Sequence, residues 1–220
     1  MATVDEPPAL FDSREGRPRG AVPRVNALRV HAGPRALAAL RAHGLRAEHV
    51  RVIPAAAGGP KGLILNALDQ HLFGTWLRAA TQPVHLLGAS IGAWRMAAAC
   101  LEDPARSLAQ MADDYVHQAY DHAPGKPPTP RHVSEVFGAN LAQRFSGRAA
   151  DVLTNPRLRL HVFTSRGRHL LRRHGRALSS ISTPLGYAGS FATNAVSRRA
   201  MSGWWERVIF SDPREPLPFR

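Results

Sequence analysis

The sequence contains a single cysteine, very few lysines and no long apolar segment. Because Cys100 has no second cysteine to pair with, an intrachain disulfide is excluded, and a reducing compartment fits this composition. Cys100 lies in the apolar run 96–101, so we expect it to pack in the core. No segment reaches the roughly 18 uninterrupted apolar residues of a membrane span, and the N-terminus has no apolar signal region. These absences predict a cytoplasmic protein.

Acidic residues are also scarce, since 16 of them stand against 29 basic residues and leave a formal net charge of +13. Only Lys61 and Lys126 are lysines, so the basic character comes from arginine. The densest basic stretch has no acidic residue and consists of Arg166, Arg168, Arg172, Arg173 and Arg176. It predicts either a solvated surface or a peripheral contact with an anionic membrane, where each basic residue contributes up to about 1 kcal/mol. Nucleic acid is the weaker interpretation, because no zinc-finger or aromatic RNA-binding motif accompanies these arginines.

The length of 220 residues and a hydrophobic content of 44% suit one globular α/β domain. Residues 1–24 lack apolar periodicity, which predicts a flexible tail before a domain over residues 25–220. Apolar runs predict strands at 28–31, 49–55, 83–87, 158–164 and 208–210. Helical patterns are found at 34–43, 61–77, 91–101, 104–119, 130–145 and 183–202. This alternation is typical of an open α/β sheet, which builds its sites where strands end.

The segment Gly88-Ala89-Ser90-Ile91-Gly92 has the G-x-S-x-G form of a nucleophile elbow, a sharp strand-to-helix turn that presents a serine hydroxyl. An apolar strand precedes it and a helix of small residues follows, which is the context that the motif requires. The flanking glycines let neighbouring backbone pass close to the turn. We therefore predict that Ser90 is the nucleophile of an acyl transfer.

A second glycine-rich loop, Ala57-Gly58-Gly59-Pro60-Lys61-Gly62, follows the preceding predicted strand. Its backbone N–H groups are expected to hold an oxyanion, with the dipole of a following helix behind them. Gly62 stands where a phosphate-binding P-loop has Ser or Thr, and the spacing of a dinucleotide-binding loop is absent. His117 and His122 are five residues apart, as are His169 and His174, so neither pair lies on one face of a helix. A metal site is therefore not expected, and no other cofactor is expected either. Lys61 has either a functional or ion-paired role or is merely exposed.

In this order the two motifs resemble those of the patatin-like phospholipases, over about residue 48 to the C-terminus. That family has an oxyanion loop of the form G-G-G-x-[RK]-G, which residues 57–62 match except at Ala57, and then G-x-S-x-G, which residues 88–92 match in full. The resemblance implies a three-layer α/β/α fold around a mainly parallel sheet. It also implies a Ser-Asp dyad that hydrolyses acyl esters of lipids. In that assignment Ser90 is the nucleophile, and the oxyanion loop contains Gly58, Gly59, Lys61 and Gly62.

The aspartate of the family lies in a D-G-[GA] motif well after the serine, and this sequence has no Asp-Gly dipeptide. Either the chain is truncated before that aspartate, or it is a degenerate member, or it uses another base. The aspartates considered for this role are Asp113, Asp114, Asp121, Asp151 and Asp212. Asp212 is the latest of them and is the prospective partner of Ser90, although Pro213 follows it where the family has glycine.

Two alternatives stay open. The first is an α/β-hydrolase esterase with a Ser-acid-His triad, because His161, His169 and His174 all follow Ser90. Such an enzyme would lose activity near the imidazole pKa of about 6.5, whereas a Ser-Asp dyad would not. The second is a catalytically inactive patatin-like protein that binds lipid or serves as a scaffold, which the missing Asp-Gly motif favours.

Overall fold

The computed structural model of the chain describes residues 30–172 and 179–218. The chain divides after Gly44 into two units. In the first, helix α1 (Pro34–His43) begins at its proline and ends at Gly44, which adopts a positive φ of 72°. The predicted flexible tail over residues 1–24 and the predicted domain start at residue 25 lie outside the described residues.

A four-stranded sheet organises the second unit, with the strand order β1-β2-β3-β4. Its strands are β1 (Val52–Ala55), β2 (Val84–Ala89), β3 (Leu158–Gly167) and β4 (Trp205–Phe210). The first three are parallel and β4 is antiparallel to β3. Ala55 lies beside Gly88 in the register, so β1 and β2 end at the same edge of the sheet. The predicted α/β class is confirmed, and the loops after β1 and β2 leave the sheet together.

The α-helices of this unit lie in the connections between the strands. They are α2 (Asn66–Gly74), α3 (Ile91–Ala99), α4 (Pro104–Val116), α5 (Pro130–Phe145), α6 (Ala149–Thr154) and α7 (Ser179–Val196). The Asp103 carboxylate accepts the Arg106 N–H at 3.0 Å before α4, and the Thr129 hydroxyl accepts the His132 N–H at 3.2 Å before α5. Both predicted helix starts are confirmed, because in each case a capping side chain precedes a proline.

One face of the sheet carries the core. Val84 and Leu86 alternate along β2 toward this face and are buried against α3 and its neighbours. Met96 on α3 and Leu108 on α4 pack into the same cluster. Cys100, at the end of α3, is buried among them, and desolvation raises the pKa of its thiol to about 12. The prediction that this cysteine packs in the core is confirmed.

The structure departs from the predicted elements in four places. Residues 30 and 31 of the predicted strand at 28–31 form no strand, and residues 28 and 29 lie outside the described residues. Residues 59–65 form a 3₁₀-helix, so the predicted buried helix from Lys61 starts as an α-helix only at Asn66, and Ile64 is exposed. Helix α6 was not predicted, because six residues are too few to establish a helical period. Helix α7 begins at Ser179 and contains Pro184, which was predicted to open it. Within the described ranges, no helix is both long and apolar enough to cross a membrane.

Candidate active site

Ser90 occupies the turn between β2 and α3 in a strained backbone conformation. Its φ of 52° and ψ of −128° lie where residues other than glycine are rarely found, a geometry that costs on the order of 1–3 kcal/mol. The side chain is exposed at the carboxyl edge of the sheet. Its carbonyl oxygen accepts the N–H groups of Ala93 and Trp94, so α3 starts directly at the serine. The strand, sharp turn and helix that the motif predicts are therefore all present.

The two glycines of the elbow are required by close backbone contacts. A Cβ on Gly92 would lie 2.1 Å from the carbonyl oxygen of Ala55, at the end of β1. A Cβ on Gly88 would lie 2.4 Å from the Cα of Ala93 in the first turn of α3. The elbow is thus packed against its own helix on one side and against the entry to the glycine loop on the other.

The glycine loop reaches the elbow a second time at its far end. A Cβ on Gly62 would lie 2.9 Å from the Ile91 side chain, the residue that follows Ser90. Gly59 has a positive φ of 54°, which glycine adopts without strain. Gly58 is exposed and Gly59 half-buried, on the segment that joins the two contacts. The loop therefore lies against the elbow at both ends.

Two expectations about this loop change with the structure. The glycines do not lead straight into an α-helix, because the 3₁₀-helix from Gly59 to Leu65 precedes α2. A strong α-helix dipole therefore does not stand directly behind the loop. Lys61 is exposed and forms no ion pair with any residue of the described ranges. Of the two interpretations of Lys61, the exposed side chain agrees with its surroundings.

A buried ion pair, which sequence reasoning missed, joins the helices that follow the two loops. On α3, Arg95 donates from Nε to Oδ2 of Asp69 at 2.6 Å and from Nη2 to Oδ1 at 2.9 Å. Both side chains are almost fully buried, Asp69 on α2 and Arg95 five residues after Ser90. The sequence feature that indicates this ion pair is Arg95 itself, the one charged residue of the otherwise uncharged helix α3.

Aromatic side chains lie on the outer side of α3, one turn from the serine. The Trp94 ring meets Phe137 of α5 edge-on, with centroids 5.3 Å apart. Tyr115 and Tyr120 also pack around Phe137, at 6.2 Å and 6.4 Å. Near the glycine loop, Ile64 is exposed. An aromatic cluster therefore packs on α3, the helix that begins directly after Ser90.

Asp212 does not lie beside Ser90. Its N–H donates to the carbonyl oxygen of Leu160 at 3.1 Å, and Leu160 pairs in register with Leu86 on β2. Leu86 precedes Ser90 by four residues, which is about 13 Å along an extended strand. The carboxylate is buried and binds the Arg214 guanidinium at 2.6 Å and 2.9 Å. These hydrogen bonds hold the pKa of Asp212 below its ordinary value, so its visible role is structural.

Three of the other candidate aspartates are engaged in ion pairs. The carboxylates of Asp113, Asp114 and Asp151 pair with His117, Arg144 and Arg148, whereas Asp121 is exposed and its backbone N–H donates to His132. His161 is fully buried and bonds to His85, whereas His169 is exposed and His174 lies outside the described residues. Within residues 30–172 and 179–218, no side chain forms a hydrogen bond with the Ser90 hydroxyl.

The basic stretch lies at the end of β3 and just beyond it. Arg166 and Arg168 approach Glu206 of β4 at 4.0 Å and 3.8 Å, and Arg172 is exposed. Arg173 and Arg176 lie outside the described residues. The three described arginines are exposed, as the simpler interpretation predicts, and α7 packs on residues 169–172, which include Arg172.

Comparisons with protein-family models, with curated proteins and with solved structures gave no match for this chain.

Proposed function

We propose that this chain is a serine hydrolase that cleaves acyl esters of lipids, with a patatin-like three-layer fold and Ser90 as its nucleophile. The observation that carries the proposal is the conformation of Ser90, an exposed serine held at φ 52° on a strand-to-helix turn. Strain of this kind is found at functional sites, where the surrounding packing maintains it. Here Gly92 and Ala55 provide that packing.

The glycine loop supports the second requirement of the reaction, which is stabilisation of an oxyanion. Ala55, which ends β1 just before the loop, and Gly62, which ends the loop, both lie against the elbow, so Gly58 and Gly59 are on the segment between these two contacts. Donors held in place before the reaction stabilise developing charge most effectively, and one such donor contributes on the order of 10²–10³ in rate. This packing supports the assignment of the loop and the serine to one site.

In the proposed reaction the Ser90 Oγ attacks the ester carbonyl carbon and its proton passes to a base. The carbonyl oxygen carries the negative charge toward the N–H groups of Gly58 and Gly59. The alcohol then leaves with a proton, and water releases the acid from the acyl-enzyme. The aromatic side chains beside α3 and the exposed Ile64 favour a hydrophobic acyl group.

A lipid-binding protein without turnover is the second candidate. It is favoured by the hydrogen bonds of the described residues, because no carboxylate or imidazole bonds to the Ser90 hydroxyl and the Asp212 carboxylate is engaged by Arg214, beside Leu160 and the middle of β2. The Ser-acid-His esterase has no such support, since the buried His161 is occupied by His85.

Labelling with a fluorophosphonate probe tests the proposal, because the probe reacts only with an activated serine. We expect the folded chain to be labelled at Ser90, with loss of labelling in Ser90→Ala and no change in Ser134→Ala, an exposed serine on α5. An ester series of increasing acyl length then measures the preference for a hydrophobic acyl group. A folded chain that is not labelled overturns the hydrolase, and fatty-acid binding by that same chain would favour the second candidate.

A further inference from the structure

Helix α7 has its apolar side toward solvent. Its inner side is built of small or polar residues: Gly186 and Ser190 are buried, and a Cβ on Gly189 would lie 2.6 Å from the Trp204 ring. The outer side carries the exposed residues Pro184, Leu185, Tyr187, Ala188, Phe191, Ala192, Asn194, Ala195 and Val196. Phe191 is 76% exposed and Val196 is 90% exposed. A helix that packs through its small side and exposes its large apolar side is the reverse of an ordinary surface helix.

The sequence around this helix is strongly basic, although Glu206 of β4 lies within 4.0 Å of Arg166 and Arg168. Helix α7 itself contains no charged residue. Between Asp151 and Glu206 the sequence has no acidic residue, yet it has the nine arginines Arg157, Arg159, Arg166, Arg168, Arg172, Arg173, Arg176, Arg198 and Arg199. Arg172 lies on a segment that packs against α7, while Arg198 and Arg199 follow its C-terminus. These three are exposed and form no ion pair within the described ranges.

We propose that α7 is a membrane-contacting helix that lies along the surface of a bilayer containing anionic lipids. Its outer side enters the boundary between headgroups and acyl chains, and the nearby arginines contact the lipid phosphates. Among the described residues no helix can span a bilayer, so α7 lies in the plane of the surface. This binding does not require Ser90 to be reactive.

Charge complementarity selects this partner over the others. A second copy of the chain would bring another +13 of formal charge against the same basic surroundings. Nucleic acid would satisfy the arginines but leave Leu185, Phe191 and Val196 in water. An anionic bilayer satisfies both features, because it offers phosphates at the depth of the arginines and hydrocarbon beneath them.

Co-sedimentation with lipid vesicles tests the proposal with the full chain. The vesicles are phosphatidylcholine alone or phosphatidylcholine with phosphatidylglycerol, which is anionic. We expect binding to the anionic vesicles, weakened by salt. The double variant Leu185→Ser/Phe191→Ser should bind at least about tenfold more weakly, since each side chain loses its burial in the interface. Val116→Ser, at an exposed valine of α4, is the matched control and should bind as the parent does.

The arginines are tested separately. Arg198→Gln/Arg199→Gln should weaken binding to anionic vesicles by about fivefold for each arginine removed, and Arg131→Gln, an exposed arginine of α5, should not. Ser90→Ala should bind as the parent does, so failure of the hydrolase and failure of this proposal are distinguishable.

Three results would overturn the membrane proposal: equal binding to neutral and anionic vesicles, no binding to either, or the same loss in Val116→Ser as in the α7 variant. It would also be wrong if the α7 variant abolished a dimer or binding to RNA while vesicle binding stayed unchanged.

Discussion

Arg95 and Asp69 form a buried bidentate ion pair that joins the helix after Ser90 to the helix after the glycine loop. The two bonds measure 2.6 Å and 2.9 Å, and the two residues are 5% and 4% exposed. Because water hardly reaches either charge, each depends on the other for compensation. The pair therefore fixes the relative position of α2 and α3. Because Gly62 before α2 packs against Ile91 at the start of α3, the pair also holds the glycine loop against the elbow.

Removing one partner of this pair should be far more costly than removing both. We expect Arg95→Met to lower the free energy of unfolding by about 3–5 kcal/mol, because it leaves the Asp69 carboxylate buried and unpaired. The double variant Arg95→Met/Asp69→Leu should recover much of that loss. Urea denaturation followed by tryptophan fluorescence measures both. Arg148→Met, which breaks the exposed pair with Asp151, is the control and should change stability by less than about 1 kcal/mol. A loss in Arg95→Met no larger than in this control would contradict the prediction.

Gly92→Ala should disrupt the elbow. The new methyl would lie 2.1 Å from the Ala55 carbonyl oxygen, and both atoms belong to backbone that is fixed by the sheet and by α3. We expect a lower Tm and loss of Ser90 labelling. Gly138→Ala is the matched control, since nothing lies within 4 Å of its Cβ position in the middle of α5. It should stabilise the chain by up to about 1 kcal/mol. Equal effects of the two substitutions on Tm would show that the close contact between Gly92 and Ala55 does not limit stability.

Asp212 should prove important for stability and irrelevant to the serine. Asp212→Asn removes the charge that accepts two hydrogen bonds from the Arg214 side chain, and such bonds contribute about 1.5–3 kcal/mol each. We expect a lower free energy of unfolding, with labelling of Ser90 unchanged at temperatures where the variant stays folded. Loss of labelling in a fully folded variant would restore Asp212 as a partner of the serine.

Local sequence rules predicted the parts of the site that depend on neighbouring residues. The turn at Ser90 and the start of α4 after Asp103 both follow from short motifs, and both are present. The position of Asp212 could not be predicted in this way. Because β4 runs antiparallel to β3, it leads the chain away from the edge of the sheet that carries Ser90. Asp212, two residues after β4, therefore lies farther from that edge. The bond between Asp69 and Arg95 was equally hidden, because it depends on how two helices pack and not on their spacing in the chain.

The stability of the chain should fall as the pH drops below the ordinary imidazole pKa. His161 is fully buried, and its Nε2 lies 3.0 Å from Nδ1 of His85, whose Nε2 in turn faces Glu215 at 3.3 Å. If the His85 Nε2–H donates to Glu215, the His161 Nε2–H donates to His85 and its own Nδ1 is left buried without a partner. A proton on that nitrogen would bring a charge with no acceptor.

Burial, and to a smaller extent His85, therefore lower the pKa of His161 below its ordinary value of 6.5, while Asp212 and Glu215 act against this shift. The unfolded chain takes up this proton at a higher pH than the folded chain. The stability linked to His161 is thus fully present above pH 6.5 and is lost as the pH falls through the lowered value. Asp212 has a lowered pKa too, but its contribution is lost only below its ordinary value of 3.8, outside this range.

Urea denaturation from about pH 8 down to about pH 5 measures this dependence. We expect the free energy of unfolding to decrease below pH 6.5 in the parent chain and to depend less on pH in His161→Leu. His117→Gln, at the exposed histidine that directly follows α4, is the matched control and should keep the parent's pH dependence. A profile of His161→Leu that parallels the parent's would assign the acid sensitivity to other groups.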